Sequence, residues 1–200
     1  MRRTVAILLF DEVEVLDFAG PFEVFAVTDE LSDHQLFHTL TVAEEKRPIR
    51  ARNGLSVNPG HSFADCPRPD ILVVPGGQGT RALLKRAPVL DWIKSINATA
   101  EIVASVCTGS LVLGRAGLLD GLKATTHHDC FDLLREHAPR ATVVETDRFV
   151  DNGRILTAAG ISAGLDLSLH LVARLHGAAL AEKTAAYMEY HWRHDHGPTR

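Results

Sequence analysis

The sequence has no excess of positive charge, no long apolar run and little cysteine, and each shortage excludes something. Its 21 Lys and Arg are outnumbered by 25 Asp and Glu, for a net charge of −4, so the basic footprint of a nucleic-acid or anionic-membrane binder is missing. Apolar strings such as Val5 to Phe10 and Ile71 to Val74 fall far short of the ~20 residues a membrane-spanning helix needs. Three cysteines, Cys66, Cys107 and Cys130, make an odd count with no Cys-x-x-Cys pair, and no apolar signal segment opens the chain. A reducing cytoplasm without disulfides is therefore the expected setting. The Gly-x-x-x-x-Gly-Lys-Ser/Thr spacing of a phosphate loop is also absent, as are linkers and internal repeats. What is present is 200 residues at 46% hydrophobic content. That predicts one α/β domain over 1–200 with a full core and a polar tail from about residue 191.

The organising stretch runs from Glu101 to Gly117. Ile102 to Val106 is apolar and β-branched, as a strand buried on both faces requires. Leu111, Val112, Leu113 and Ala116 supply the apolar side of a helix that Gly117 ends. Cys107 falls at the corner between them, where a strand-to-helix turn pushes a side chain out at the carboxyl edge of a sheet. The free N–H groups of the helix's first turn favour a thiolate there. A cysteine is otherwise a small core residue, inert once buried; the turn favours exposure and reactivity.

Val5 to Phe10 predicts the first strand. Val13, Leu16, Phe18, Phe22 and Phe25 predict a helix that kinks or restarts at Gly20-Pro21. Asp17, just before that break in an apolar segment, faces a cleft, holds a partner, or is a solvated surface carboxylate. Glu23 reads as a surface or interface residue. Leu36 to Ala43 predicts a second strand; Lys46 to Arg52 and Leu55 to Asn58 form an edge hairpin around Asn53-Gly54. Cys66 lies in a loop and takes no role. Asp70 to Val74 is a buried strand ending in Pro75-Gly-Gly-Gln-Gly79, and if it neighbours the Cys107 strand, the Gly77 and Thr108 N–H groups form an oxyanion hole, with Gly76 beside them.

Pro88 opens a helix to about Ala98. Leu118-Leu-Asp-Gly121 is a turn, Lys123 to His127 a short strand and Cys130 to His137 a helix. His127-His128-Asp129-Cys130 invites a metal, but adjacent ligands from one segment point apart, so no metal is expected and His127 reads as a pocket wall. His191, His194 and His196 read as solvated tail. Strands at Ala141 to Glu145, Arg148 to Val150 and Ile155 to Ala158 follow, the last ended by Gly160; Ser162 caps a helix carrying Leu165, Leu169, Val172 and Leu175, and another helix starts near Leu180. Strands alternating with helices predict an open, mostly parallel sheet with a ligand at its carboxyl edge.

The phrases Leu9 to Phe25, Val74-Pro-Gly-Gly77, Val106-Cys-Thr-Gly-Ser110, Gly117-Leu-Leu-Asp-Gly121, Ala124-Thr-Thr-His127 and Thr157-Ala-Ala-Gly-Ile-Ser-Ala-Gly-Leu-Asp166 resemble the ThiJ/PfpI superfamily. Within it they are most similar to the branch holding isonitrile hydratases and the sensor domains of AraC-type regulators. The resemblance implies a flavodoxin-like three-layer α/β sandwich, akin to class I glutamine amidotransferases, with a nucleophile elbow. It also implies a homodimer, an acid from the first helix beside Cys107, which Asp17 matches, and an active threonine after the cysteine, which Thr108 matches. Gly160 and Ile161, inside the last phrase, join Gly76, Gly77 and His127 as substrate-binding positions. Peptidase-like members carry a histidine after the cysteine, and amidotransferases carry a late His-x-Glu; this chain has Thr108 and no such triplet, so neither activity is expected.

The resemblance thus implies cofactor-free hydration of a small-molecule isonitrile by Cys107, Asp17 and Thr108, with no nucleic-acid or membrane partner. Two alternatives are thiol chemistry on other small electrophiles, such as glyoxals, and a ligand- or redox-sensing domain without catalysis. The regulator reading expects roughly another hundred residues carrying a helix-turn-helix pair after Arg200, which a longer gene product would supply.

Overall fold

The structure, a computed structural model, describes residues 2–192. In chain order it comprises β1 (Arg3–Leu8), α1 (Val15–Glu30), β2 (Phe37–Ala43), β3 (Ile49–Arg50), β4 (Ser56–Val57), β5 (His61–Ser62) and β6 (Ile71–Val74). There follow α2 (Thr80–Leu83), α3 (Ala87–Asn97), β7 (Ile102–Val106), α4 (Gly109–Arg115), β8 (Lys123–Ala124), α5 (Phe131–His137), β9 (Thr142–Val143), β10 (Phe149–Asp151), β11 (Ile155–Ala158), α6 (Ala163–His176) and α7 (Ala178–Tyr187).

Seven strands form the central sheet in the order β10-β11-β7-β6-β1-β2-β5. Every pairing is parallel except β10 with β11. Helices α1, α6 and α7 pack together on one side and α2, α3, α4 and α5 on the other, giving the flavodoxin-like three-layer α/β architecture. The middle strands β6 and β7 are buried at every residue, which is why their sequences are apolar without alternation. Their neighbouring positions bring the Pro75–Gly79 turn and Cys107 together at one carboxyl edge.

Several expected elements differ. The helix does not break at Gly20-Pro21: α1 runs unbroken through Pro21. Pro21 deprives the Asp17 carbonyl of its usual donor four residues on, yet tertiary packing holds the helix. Pro21 is buried, and α6 lies so close that a Cβ on Gly20 would stand 3.2 Å from Leu165. The Lys46–Asn58 region forms a hairpin, β3 with β4, but as a separate two-stranded sheet; the edge strand of the main sheet beyond β2 is β5. The strand expected over Lys123 to His127 stops at Ala124, and β8 pairs with the shortened β9 outside the main sheet. Beyond it, the Thr125 N–H leaves the ladder for the Thr157 hydroxyl at 2.9 Å. Ser162 stands at the N-cap of α6 as expected, but its hydroxyl makes no capping hydrogen bond and instead accepts from Arg148 at 3.0 Å. His191 is exposed, while His194 and His196 lie outside the described residues. Among the described residues no helix is long and apolar enough to cross a membrane.

Candidate active site

Cys107 follows β7 at a φ of 55°, a left-handed conformation that costs a non-glycine residue ~1–2 kcal/mol. Hydrogen bonds on both of its backbone groups hold it there. Its N–H donates to the Ala158 and Ala159 carbonyls (3.1 and 2.9 Å), and its own carbonyl accepts from the Thr126 and Ser110 hydroxyls (2.9 and 3.1 Å). Helix α4 then begins against β6, so close that a Cβ on Gly109 would stand 2.0 Å from the Val74 carbonyl.

Asp17 reaches this corner from the first turn of α1. It is fully buried, and its Oδ2 accepts the Gly76 N–H at 2.9 Å. Oδ1 makes no hydrogen bond of normal geometry, although the Cys107 thiol and the Ile161 N–H act on the carboxyl from close by. Burial, aided by the charge of Glu14, lifts the Asp17 pKa to about 7 against the pull of the Gly76 N–H. Burial also pushes the Cys107 thiol up to about 12, with Asp17 the next cause; the Thr108 N–H and hydroxyl pull the other way without prevailing. The exposed, activated thiolate expected from the sequence is therefore corrected. Cys107 is only 6% exposed, and it rests as a thiol whether or not Asp17 carries its proton, because desolvation outweighs a helix terminus of seven residues.

The expected oxyanion hole is also rearranged. The Gly77 N–H donates to the Thr108 hydroxyl at 3.0 Å, and that hydroxyl lies 3.2 Å from the Gly77 carbonyl and 3.3 Å from Thr80 Oγ1. Both glycine N–H groups are thus spoken for, Gly76 by Asp17 and Gly77 by Thr108, and the thiol is left with the N–H and hydroxyl of Thr108. Gly76 must lack a side chain, since a Cβ would stand 2.5 Å from the Thr108 nitrogen. Gly77 adopts a φ of 122°, open to glycine alone.

His127 and Gly160 meet: a Cβ on Gly160 would stand 2.4 Å from His127 Cδ2. The ring stacks on His128 at 4.2 Å, accepts the Asp129 N–H at Nδ1 (3.2 Å), and is kept neutral by burial and by His128. Ile161 is the second strained residue here, with a φ of 52°. The sequence reading had His127, His128 and Asp129 pointing apart, whereas their ligand atoms converge within 4.8 Å. Both His128 and Asp129 are exposed.

A cavity of about 350 Å³ is walled by Thr126, His127, Phe131, Asp147, Arg148 and Ile161 among others; Cys107 is not on its wall but is tied to it by backbone hydrogen bonds with Thr126 and Ala159. Sequence reasoning missed Thr126 and Ser110, which hold the elbow carbonyl, and the Arg148–Asp166 ion pair, which Tyr190 joins through a 2.9 Å hydrogen bond. Thr126 and Asp166 lay inside phrases already singled out, but nothing local marked their roles.

Fold and site define an α/β protein with a cysteine on a strand-turn-helix elbow beside a buried acid. The chain belongs to the DJ-1/PfpI family, whose description matches residues 3–174. It is 39% identical to an isonitrile hydratase of Pseudomonas putida over 95% of this chain and 79% of that protein. It is 30% identical to the HTH-type transcriptional regulator GbdR of Pseudomonas aeruginosa over 90% of this chain but 48% of the regulator. Among solved structures, a THiJ/PfpI family protein from Pseudomonas syringae superposes with a TM-score of 0.86 at 35% identity, over 95% of this chain and 76% of that one. An AraC family transcriptional regulator from Pseudomonas putida superposes at 0.82 with 25% identity, over 93% and 99%.

Proposed function

We propose that the protein hydrates isonitriles, R–N≡C, to N-substituted formamides. The observation that supports this most directly is the buried Asp17–Cys107 pair. Asp17, with a pKa lifted to about 7, is a carboxylic acid for much of its time near neutral pH, and the isonitrile carbon needs both a proton and a soft nucleophile. Sulfur adds to the terminal carbon as one Asp17 oxygen gives that carbon a proton and the other takes the proton of the thiol. The product is a thioimidate, R–N=CH–S–Cys107. Water then adds across the C=N bond, its oxygen to carbon and a proton to nitrogen. Collapse breaks the C–S bond, expels formamide and returns a proton to sulfur. The Thr108 N–H stabilises negative charge on sulfur as it forms and leaves, and the Thr108 hydroxyl holds Gly77 in place. The identity to an isonitrile hydratase along nearly the whole chain supports the same reading. Three free cysteines fit a reducing cytoplasm, and we take the protein as a homodimer there.

Incubation with cyclohexyl isocyanide should yield the formamide with wild-type protein and none with Cys107→Ala. Absence of product with a reduced, alkylatable wild-type Cys107 would overturn the proposal.

A further inference from the structure

Thr80, the first residue of α2, buries a hydroxyl beside that of Thr108: the two residues are 0 and 3% exposed, and their oxygens lie 3.3 Å apart. Each hydroxyl carries one proton, so the hydrogen bonds around them can be assigned. Both reach the Gly77 carbonyl, Thr80 at 2.8 Å and Thr108 at 3.2 Å. The shorter contact has the usual length of an O–H···O bond, so the Thr80 proton belongs there rather than on Thr108. Arg81 supports that assignment, since its Nη1 donates to Thr80 Oγ1 at 3.1 Å and to the same Gly77 carbonyl at 3.3 Å. The Thr80 N–H adds a further contact to that carbonyl at 3.3 Å. A carbonyl oxygen offers two lone pairs, and Thr80 and Arg81 fill them. The Thr108 oxygen meanwhile accepts the Gly77 N–H at 3.0 Å, which leaves its own proton unclaimed by the turn. The Cys107 sulfur is the other acceptor on which this hydroxyl acts, and the contact favours the anion.

We propose that Thr80 is a positioning residue for the thiol chemistry: by occupying the Gly77 carbonyl it turns the Thr108 hydroxyl proton toward the Cys107 sulfur. The proposal rests on the reading that Cys107 is the nucleophile, and it sets the Thr108 hydroxyl beside the Thr108 N–H as a second donor to the sulfur anion. Hydrogen bonds to a charged partner are stronger than those between neutral groups. With Cys107 only 6% exposed, bulk water is a poor replacement for one that is lost. Without Thr80, the Gly77 carbonyl recruits the Thr108 hydroxyl and the sulfur loses it.

The test compares Thr80→Val, which keeps the shape and removes the proton, with Thr80→Ser, which keeps the proton. One readout is kcat and KM for cyclohexyl isocyanide. The other is the iodoacetamide alkylation rate of the Cys107 peptide, followed by mass spectrometry so that Cys66 and Cys130 are kept apart. In Thr80→Val, kcat should fall about tenfold with KM little changed, as expected for the loss of one hydrogen bond to a charged group. Alkylation should slow by about threefold, because a rise in the thiol pKa is partly offset by the greater nucleophilicity of its anion. Thr80→Ser should stay close to the wild type in both. The effect must also run through Thr108, so Thr80→Val made in a Thr108→Val background should slow alkylation no further. Thr80→Ala, which also lacks the donor and crowds nothing, takes the place of Thr80→Val if that variant does not fold. Alkylation unchanged in the variant lacking the donor, kcat unchanged where the wild type turns over, Thr80→Ser as slow as Thr80→Val, or an equal further loss in the Thr108→Val background would each overturn the proposal. If the wild type hydrates no isonitrile while the alkylation rates follow the expected order, the hydratase reading fails and the role of Thr80 stands.

Discussion

At the scale of single residues, the chemistry turns on one acid whose ionisation the fold opposes. Asp17 has its pKa raised from 3.8 to about 7, chiefly by burial. A raised acid adds stability that is complete below the unfolded value and disappears as pH climbs through the folded one, so this carboxyl makes the wild type less stable from about pH 4 to above pH 7. Asp17→Asn keeps the acceptor for the Gly76 N–H and cannot ionise. Urea unfolding should show the variant gaining on the wild type as pH rises, by up to ~4 kcal/mol at pH 8. The same variant should lose most turnover while Cys107 still alkylates, and wild-type kcat/KM should fall as pH passes about 7. Full activity in Asp17→Asn would remove the acid from the chemistry.

At the scale of elements, the site is a junction of β6, β7, α1 and α4, and glycine sets how closely they meet. Helix α4 touches the end of β6 at Gly109, where any Cβ meets backbone rather than a flexible side chain. Gly109→Ala therefore has to move α4 or the Pro75–Gly79 turn. We expect a loss of about 3 kcal/mol in unfolding free energy, with Cys107 displaced from its acceptors and its alkylation rate changed. An unchanged Tm would contradict this packing. The restart expected in α1 does not occur, for a related reason. A proline inside a helix costs one hydrogen bond wherever it stands, but α6 packed over Gly20 and Pro21 keeps the remaining turns in place.

At the scale of the whole molecule, the C-terminal part of the chain buttresses the site. Tyr190, beyond α7, donates to Asp166 in α6, which pairs with Arg148 before β10. Arg148 also donates to Ser162 and, through its carbonyl, accepts the Ala159 N–H. The segment so clamped, residues 159–162, supplies an acceptor for the Cys107 N–H and the N–H facing Asp17. Asp166→Asn leaves Arg148 without its counter-charge; a destabilisation of about 2 kcal/mol is expected by urea unfolding, less than for a fully dry pair because Arg148 keeps some solvent contact. Cys107 alkylation should also quicken as that segment loosens. Stability and alkylation both at wild-type values would show the clamp to be idle.

The layered α/β fold and the elbow at Cys107 were legible because they rest on local signals. Buried parallel strands must be continuously apolar, and a cysteine between such a run and an amphipathic stretch can only fall at the strand-to-helix corner. Asp17 stood out as an acid in apolar company, and its place beside Cys107 came from resemblance to a family. Local pattern cannot tell which N–H groups are free, since that depends on partners far along the chain: Gly76 is taken by Asp17 and Gly77 by Thr108. Nor can it weigh burial against a helix terminus, which is why Cys107 emerged as a buried thiol. The Arg148–Asp166–Tyr190 clamp exists only once the late strands and the last helices fold back over the sheet edge. Desolvation, long-range hydrogen bonding and charge balance are properties of assembled surroundings, and tertiary structure alone decides them.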